Sequence, residues 1–300
     1  MLAFLFVDGL GLSDDPRSLL QTLELPTLRA LTRDFSSQPF AGERTGIAQV
    51  TGQAGIAFGD PLGGLAALHW AYRVLDATLG VEGLPQSGTG QTTLLTGTNA
   101  AEVLGHHQGP HPLSRLQGLL REQSLQVWGT TRGLEVVHAN GYRQEYLERT
   151  RTSRRNMLSA FAYAARAAGL ELRSLEDPLA IAPAFWAEPE KAGERLARLA
   201  ERHDWVVLEN WALDYFAHRE PDLLPERFTE LDRFLRGWLE ANPAATLLLT
   251  SDHGNSEEPW HPQHTRNPVP LLVVGPLAST VPPMSSLTDV APWVRSVLGK

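Results

Sequence analysis

The chain has 300 residues, enough to bury a sizeable core in one large domain or in two modest ones. Its composition, 42% hydrophobic and 20% charged, is that of a folded globular protein and unlike that of a disordered or fibrous one. A net charge of -8 argues against unassisted binding to nucleic acid or to an anionic membrane, and the absence of cysteine excludes disulfides, thiolate metal ligands and cysteine nucleophiles.

An apolar run at residues 3–7 is the first element along the chain. The run is far too short for a membrane helix, and neither a basic segment nor a small-residue cleavage site accompanies it. We therefore expect it to be the first buried strand of a cytoplasmic protein with no membrane partner.

Further along the chain, short apolar runs alternate with longer segments of helical periodicity. This alternation predicts an α/β fold with a mostly parallel sheet and helices on both faces. Strands are predicted at residues 3–7, 126–129, 205–208, 246–250 and 270–274. Helices are predicted at residues 25–32, 92–96, 154–168, 189–203, 224–241 and 289–298. Ser153 is the predicted N-cap of the helix at 154–168, and Gly169 its C-terminal stop.

Two stretches rich in glycine and proline, residues 52–64 and 83–109, are predicted to be long loops over one edge of the sheet. Such loops often carry function. The segment 105–111 contains three histidines, which are either substrate contacts or solvated loop residues. We predict a single domain over residues 1–300, with a small cap inserted at about residues 142–188.

Polar residues follow several of the predicted strands, and ligands bind beyond the carboxyl ends of strands in open α/β sheets. Asp8 comes directly after the first strand, although Asp before Gly is also a common turn. Asp214 and His218 follow the strand at 205–208. Their spacing of four places both on one face of a helical turn, where they can chelate one ion or form an exposed ion pair.

The strand at 246–250 is followed by Asp252 and His253, and His264 precedes the next strand. This arrangement is hard to explain structurally and indicates metal binding. Ser87 lies between glycine-rich turns and leads into a short helix. A helix N-terminus offers free N–H groups and a positive dipole end to a phosphate oxyanion, whereas the plain alternative is a Ser/Gly turn with an N-cap.

Residues 252–255 (Asp-His-Gly-Asn) and 264–270 (His-Thr-Arg-Asn-Pro-Val-Pro) resemble the metal-binding end of cofactor-independent phosphoglycerate mutases and phosphopentomutases, within the alkaline phosphatase superfamily. Asp214 and His218 are similar to the Asp-x-x-x-His element of that family. Asp8 is similar to its N-terminal metal aspartate. The resemblance runs along the whole chain except for its middle.

The resemblance implies two divalent cations, Mn²⁺ or Zn²⁺, because oxygen and imidazole ligands suit these metals. One cation would be held by Asp214, His218 and His264, and the other by Asp8, Asp252, His253 and the oxygen of Ser87. Ser87 is also the implied nucleophile, with Thr89 as the alternative. Gln91 stands where the mutases carry histidine, which is a departure from the family pattern.

The expected function is two-metal phosphoryl transfer from a small phosphorylated substrate, a phosphomonoester, through a phosphoserine intermediate. Phosphatase and phosphomutase activities both fit this chemistry. Mutases of the resembled branch carry a large inserted domain, and 300 residues leave little room for one, which favours a phosphatase or an atypical mutase. The alternatives are a phosphodiesterase of the same superfamily and a non-catalytic metal-binding relative. No oligomeric state is predicted.

Overall fold

The computed structural model describes residues 1–32, 68–153, 158–241 and 243–299, together with the backbone of residues 52–54; at residue 68 the backbone alone is described. The glycine-rich stretch predicted as a loop at 52–64 lies almost entirely outside the described residues. So does the start of the helix predicted at 154–168.

A mixed sheet with a parallel centre forms the middle of the molecule. The strands in the described residues are β1 (Leu2–Val7), β2 (Gly52–Ala54), β3 (Leu68–Leu75), β4 (Val136–His138), β5 (Gly141–Tyr142), β6 (Arg173–Ser174), β7 (Trp205–Asn210), β8 (Thr246–Thr250) and β9 (Val269–Val274). The main sheet has the order β2-β3-β9-β8-β1-β7-β4, and β5 pairs with β6 separately. Strands β8, β1, β7 and β4 are parallel, whereas β9 runs antiparallel to both β8 and β3.

Helices cover both faces of this sheet. In the described residues they are α1 (Leu19–Thr22), α2 (Pro26–Thr32), α3 (Ser87–Thr96), α4 (Ala100–Leu104), α5 (Ser114–Gln123), α6 (Leu125–Thr131), α7 (Gln144–Thr152), α8 (Ala160–Ala167), α9 (Pro189–Ala200), α10 (Ala212–Arg219), α11 (Leu224–Ala241) and α12 (Val290–Leu298). Short 3-10 helices occupy Pro221–Leu223, Pro276–Thr280 and Leu287–Asp289. The predicted α/β architecture is confirmed.

Strand β1 shows why both faces need a cover. Successive side chains of a strand point to opposite faces, and every residue of β1 is buried. Leu5 and Val7 join a core that includes α9, α10 and α11. Phe4 and Phe6 join the core on the other face, where Phe161 of α8 stacks on Phe6 with 4.4 Å between ring centroids. A strand that is apolar on both sides therefore belongs at the centre of the sheet.

The strand predicted at 126–129 is wrong, because these residues lie in α6. A short apolar run does not distinguish a buried strand from a buried helix. Here Ser124 decides in favour of the helix: its side chain accepts a hydrogen bond from the N–H of Val127 and so caps the first turn. The strand β4 begins only at Val136.

The loop predicted at 83–109 is also wrong over much of its length, since it contains α3 and α4. The helix α3 is fully buried despite its polar sequence. Its threonines satisfy their own hydroxyl groups by donating to carbonyls one turn earlier, from Thr92 to Gly88 (2.6 Å) and from Thr96 to Thr92 (2.8 Å). Polar composition therefore did not indicate exposure.

The predicted cap of the helix at 154–168 is displaced. The helix α8 begins at Ala160, and Ser159 rather than Ser153 caps it by accepting from the N–H of Ala162 at 3.1 Å. Ser153 instead follows the last residue of α7. Gly169 adopts a positive φ of 74° just beyond α8, as a helix stop requires. The segment 142–188 contains α7, α8 and β6; its treatment as an inserted cap stays a prediction.

Candidate metal centre

Three neighbouring strands bring candidate metal ligands to one edge of the sheet. Asp8 follows β1, Asp214 lies in α10 just after β7, and Asp252 and His253 follow β8. Because β1 is paired in parallel with both β7 and β8, the carboxyl ends of all three strands meet. The connection from β8 back to the antiparallel β9 adds His264.

Asp214, His218 and His264 form the first group of potential ligands, which we call group 1. Nε2 of His218 lies 3.5 Å from Oδ1 of Asp214, and Nε2 of His264 lies 3.4 Å from the same oxygen. The two Nε2 atoms are 3.0 Å apart. Group 1 therefore points three donor atoms at one place.

Asp8, Asp252 and His253 form group 2. Nε2 of His253 lies 3.3 Å from Oδ1 of Asp8 and 3.5 Å from Oδ2 of Asp252. Oγ of Ser87 lies 3.1 Å from the same nitrogen. The four residues come from the ends of two strands, β1 and β8, and from the start of α3, and the structure brings all of them together.

The two groups adjoin each other through stacked imidazoles. The rings of His253 and His264 are nearly parallel, with 15° between their planes and 3.8 Å between centroids. All seven residues singled out in the sequence thus lie in one contiguous centre.

Backbone carbonyls orient the histidines of this centre. Nδ1 of His264 lies 2.7 Å from the carbonyl oxygen of Pro85, so this nitrogen carries the proton and donates it. Nε2 is then left with a lone pair that points at group 1, as a metal ligand requires. Asn255 supports the same group by donating from Nδ2 to Oδ1 of Asp214 at 2.7 Å.

Buried carboxylate oxygens that accept no hydrogen bond indicate whether the centre suits cations. Among the described residues, Oδ1 of Asp8 and both carboxylate oxygens of Asp252 are buried and accept no hydrogen bond. Burial raises the pKa of both carboxyl groups, and the charge of Asp252 raises that of Asp8 further. A buried carboxylate needs a counter-charge, and a divalent cation among carboxylates and imidazoles supplies it. The residues present therefore fit metal binding.

Asp214 behaves differently from these two carboxyl groups. Burial raises its pKa, but the interactions with His218 and His264 and the charge of His253 outweigh this effect and hold the pKa well below its usual range. Asp214 is therefore ionised and is a ready ligand at neutral pH.

Ser87 is the first residue of α3, which begins five residues earlier than the sequence predicts for this helix. The helix is held tightly against the centre because it has glycines at the points of contact. A Cβ atom at Gly90 would lie 2.8 Å from Cβ of Asp252, and one at Gly88 would lie 2.5 Å from the carbonyl oxygen of Gln108. That carbonyl also accepts from the N–H of Thr89. The 105–111 loop thus clamps the N-terminus of α3.

Thr89 and Gln91 have other roles in the structure. The Thr89 side chain is fully buried and donates from Oγ1 to the carbonyl of Gln86 at 3.0 Å. Gln91, which replaces the histidine of the resembled mutases, donates from Nε2 to Oδ2 of Asp8 at 3.2 Å and accepts from the N–H of Ala160. It therefore positions Asp8 and ties it to the start of α8.

Glu209 was missed in the sequence analysis. It lies in β7, is 3% exposed, and accepts a hydrogen bond from Oγ of Ser159 at 2.8 Å. Burial raises its pKa to about 7; the Ser159 hydrogen bond lowers the pKa, and the charge of Asp252 raises it. A glutamate directly after the apolar run at residues 205–208 was the available signal.

Glu257 was also missed, and it joins the loops that carry the ligands. Oε2 accepts from the backbone N–H groups of Gly11 (3.2 Å) and Asn255 (2.8 Å). Oε1 accepts from Oγ1 of Thr265 (2.6 Å) and Nδ2 of Asn267 (3.0 Å). One fully buried carboxylate thus connects the segments that follow Asp8, His253 and His264. In the sequence, the signal for this role of Glu257 was its position two residues after Asn255.

A cleft of about 670 Å³ opens onto the centre. Ser87, Asp214, His218 and His264 line it, and His111 reaches it from the 105–111 loop. The nucleophile candidate is thus accessible to a small substrate, although the Ser87 side chain is almost entirely covered.

Known proteins resemble this chain in sequence over part of its length and in fold over nearly all of it. Residues 187–299 match the family model described as the Metalloenzyme superfamily, and this range holds both group 1 and the Asp252-His253 pair. A solved protein of Pyrococcus horikoshii shares the fold at a TM-score of 0.56 and 12% identity over 99% of this chain and 97% of that one. Residues 187–299 therefore resemble this superfamily, and the chain as a whole has an alkaline phosphatase-like fold. A cold-active alkaline phosphatase of Shewanella sp. has the same fold, at a TM-score of 0.51 and 11% identity over the full length of both chains.

Curated relatives extend the comparison to the mutases. The 2,3-bisphosphoglycerate-independent phosphoglycerate mutase of Gloeobacter violaceus is 28% identical over 155 residues, and that of Legionella pneumophila strain Corby is 40% identical over 122 residues. These matches cover 44% and 37% of this chain. The chain spans only 28% and 24% of the length of these relatives in the matched segments.

The helices of the described residues were also compared with the length and hydropathy that a bilayer demands. None of them is both long and apolar enough to span a membrane.

Proposed function

We propose that this protein is a two-metal phosphoryl-transfer enzyme that acts on small phosphomonoesters through a phosphorylated Ser87. The observation that carries the proposal is the position of Oγ of Ser87, 3.1 Å from Nε2 of His253 and on the wall of the cleft that contains group 1. The match of residues 187–299 to the Metalloenzyme superfamily supports it, as do the phosphoglycerate mutases and the alkaline phosphatase that the chain resembles.

Two divalent cations, Mn²⁺ or Zn²⁺, would occupy the centre. One would be held by Asp214, His218 and His264, and the other by Asp8, Asp252, His253 and Ser87. When bound, such ions neutralise the charge of the phosphoryl oxygens and lower the pKa of a coordinated hydroxyl.

The residues of the chain would then perform the transfer in two steps. Oγ of Ser87 forms a bond to phosphorus while the ester bond to the leaving group breaks, and the departing alkoxide takes up a proton in place of the one that the Ser87 hydroxyl loses. The N-terminus of α3 directs its positive dipole end at the phosphoryl oxygens. Water then cleaves the phosphoserine and releases phosphate. Gln91 keeps Asp8 in place during both steps by its hydrogen bond to Oδ2.

Transfer to a hydroxyl of a second substrate, as in a mutase, is the second candidate function. The curated relatives favour it, because both of those described above are phosphoglycerate mutases. Hydrolysis remains our first choice, because the chain matches only about a quarter of their length.

Turnover of an aryl phosphomonoester and the matching diester, with EDTA or with added Mn²⁺ or Zn²⁺, tests the proposal. We expect metal-dependent turnover of the monoester. Ser87→Ala should lower it about a thousandfold or more while two metal ions still bind, because a missing nucleophile is not replaced. Thr89→Val, which removes the alternative hydroxyl, is the matched control and should stay active.

Several results would overturn parts of this proposal. Normal turnover by Ser87→Ala would exclude covalent catalysis at this residue. Preference for the diester would identify a phosphodiesterase. Absence of turnover with two metals bound, and without transfer from a phosphoglycerate, would leave a non-catalytic metal-binding protein.

A further inference from the structure

The side chains of Trp211 and Tyr215 lie directly beside group 1 and form what we call the aromatic wall. Trp211, Asp214, Tyr215 and His218 have the spacing i, i+3, i+4 and i+7 along α10 and the residue that precedes it. Residues at this spacing share one face of a helix. All four line the cleft, so the face that supplies two metal ligands also supplies two aromatic side chains.

Contacts between aromatic rings fix the position of the wall. Trp211 meets Tyr215 edge to face, at 5.6 Å between ring centroids and 70° between planes. Phe185 packs perpendicular to Trp211 at 6.4 Å and perpendicular to Phe216 at 5.6 Å. Because Phe216 is in the core, these contacts anchor the wall to the fold. A prearranged aromatic surface costs little entropy when a ligand binds to it.

Tyr215 of this wall and the neighbouring Phe185 are exposed to solvent. Tyr215 is 44% exposed and Phe185 is 52% exposed, which is high for large apolar side chains. Of these two, Tyr215 lines the cleft, and an exposed aromatic side chain on a cleft wall favours contact with an apolar or aromatic group.

The charged side chains of the cleft also favour an uncharged leaving group. Of the described residues that line it, Arg219 alone carries a permanent positive charge. His111 is half-buried, and burial lowers its pKa, so it is mainly neutral at pH 7. Among the described residues that line the cleft, a second anionic group of a substrate would find one permanent cation to pair with, Arg219.

We infer that Trp211 and Tyr215 form a subsite for an uncharged aromatic leaving group, so that the substrates are aromatic phosphomonoesters rather than phosphorylated organic acids. This inference rests on the proposed function. The phosphoryl group would lie between Ser87 and group 1, and the ring would pack against the wall.

The test compares benzyl phosphate with ethyl phosphate on the metal-loaded protein, because the two leaving alcohols are of similar acidity. We expect kcat/KM to be about tenfold higher for the benzyl ester, as aromatic packing in a pocket supplies. Trp211→Ala and Tyr215→Ala should each reduce this ratio several-fold. Tyr215→Phe retains the ring and should keep the ratio, and Trp260→Ala, an exposed tryptophan outside the cleft lining, should leave it unchanged.

Calorimetric binding of benzylphosphonate and ethylphosphonate distinguishes failure of the subsite from failure of the proposed function. If neither ester is hydrolysed but benzylphosphonate binds about tenfold more tightly, and Tyr215→Ala removes the difference, the subsite stands and the catalytic proposal fails. Equal rates and equal affinities for the two ligands, or a wild-type ratio in both alanine variants, would overturn the inference.

Discussion

The buried carboxyl group of Glu209 gives the metal-free protein a pH dependence that Glu209→Gln should remove. Glutamine has the same shape, and its carbonyl oxygen still accepts the hydrogen bond from Ser159. Only the ionisation is lost. Since burial raises the pKa of Glu209 to about 7, from an ordinary value of 4.5, the folded state binds a proton more tightly there than the unfolded state does.

The sign and size of the effect follow from this difference. A raised pKa stabilises the fold fully below about pH 4.5, and this stabilisation is lost as the pH rises through about 7. At about 1.36 kcal/mol per pKa unit, the loss amounts to roughly 3 kcal/mol for this fully buried group. Asp8 and Asp252 also have raised pKa values and act in the same direction. Only the difference between wild type and variant therefore isolates Glu209.

Urea unfolding of the EDTA-treated protein, at several pH values from about 4.5 to about 8, measures this difference. We expect wild type and Glu209→Gln to be equally stable at the acid end and the variant to be more stable by about 3 kcal/mol at the alkaline end. Glu122→Gln, at an exposed position on α5, is the control and should follow the wild type throughout. Parallel curves for wild type and Glu209→Gln would refute the argument that burial raises this pKa.

Two further predictions concern residues that hold the fold around the centre. Glu257→Ala leaves two buried N–H groups without an acceptor, so we expect the free energy of unfolding to fall by about 2–6 kcal/mol. We also expect the metal dissociation constants to rise about tenfold or more. Unchanged metal affinity in calorimetry would show that Glu257 does not position the ligands. Gly193→Ala places a Cβ atom 2.0 Å from the carbonyl oxygen of Phe234 where α9 crosses α11, and should cost about 3 kcal/mol in urea unfolding. Gly118→Ala on α5 has no atom within 4 Å of the added carbon and should be neutral or stabilising by up to about 1 kcal/mol, so equal losses in both variants would contradict a steric cause.

Much of the fold could be predicted because its pattern is local. The strand at 246–250 and the helix at 224–241 were predicted with the bounds that the structure shows, and β1, β7 and β9 differ by one or two residues. These segments are either continuously apolar or clearly periodic, so the sequence contains the information that assigns them. The run at 126–129 lacks such a pattern, and a single capping bond from Ser124 made it helical.

The candidate ligands could be predicted for a related reason. Asp8, Asp252 and His253 directly follow apolar strands, and parallel neighbouring strands bring their carboxyl ends to the same edge. Their assignment to two cations, and that of Ser87 as the nucleophile, stay predictions. The helical spacing of Trp211 and Tyr215 could have predicted that the two side chains share one face of a helix. Their position in the cleft could not be predicted from the sequence.

By itself, the sequence determined the α/β class, the strands at the centre of the sheet and the types of residue at their ends, because these depend on neighbours along the chain. Only the tertiary structure decided what Glu209 and Glu257 do. Glu209 owes its pKa to burial and to Ser159, which is 50 residues away, and Glu257 binds Gly11 across 246 residues. Solvation and hydrogen bonding act through space, so they are determined only when distant segments have packed together.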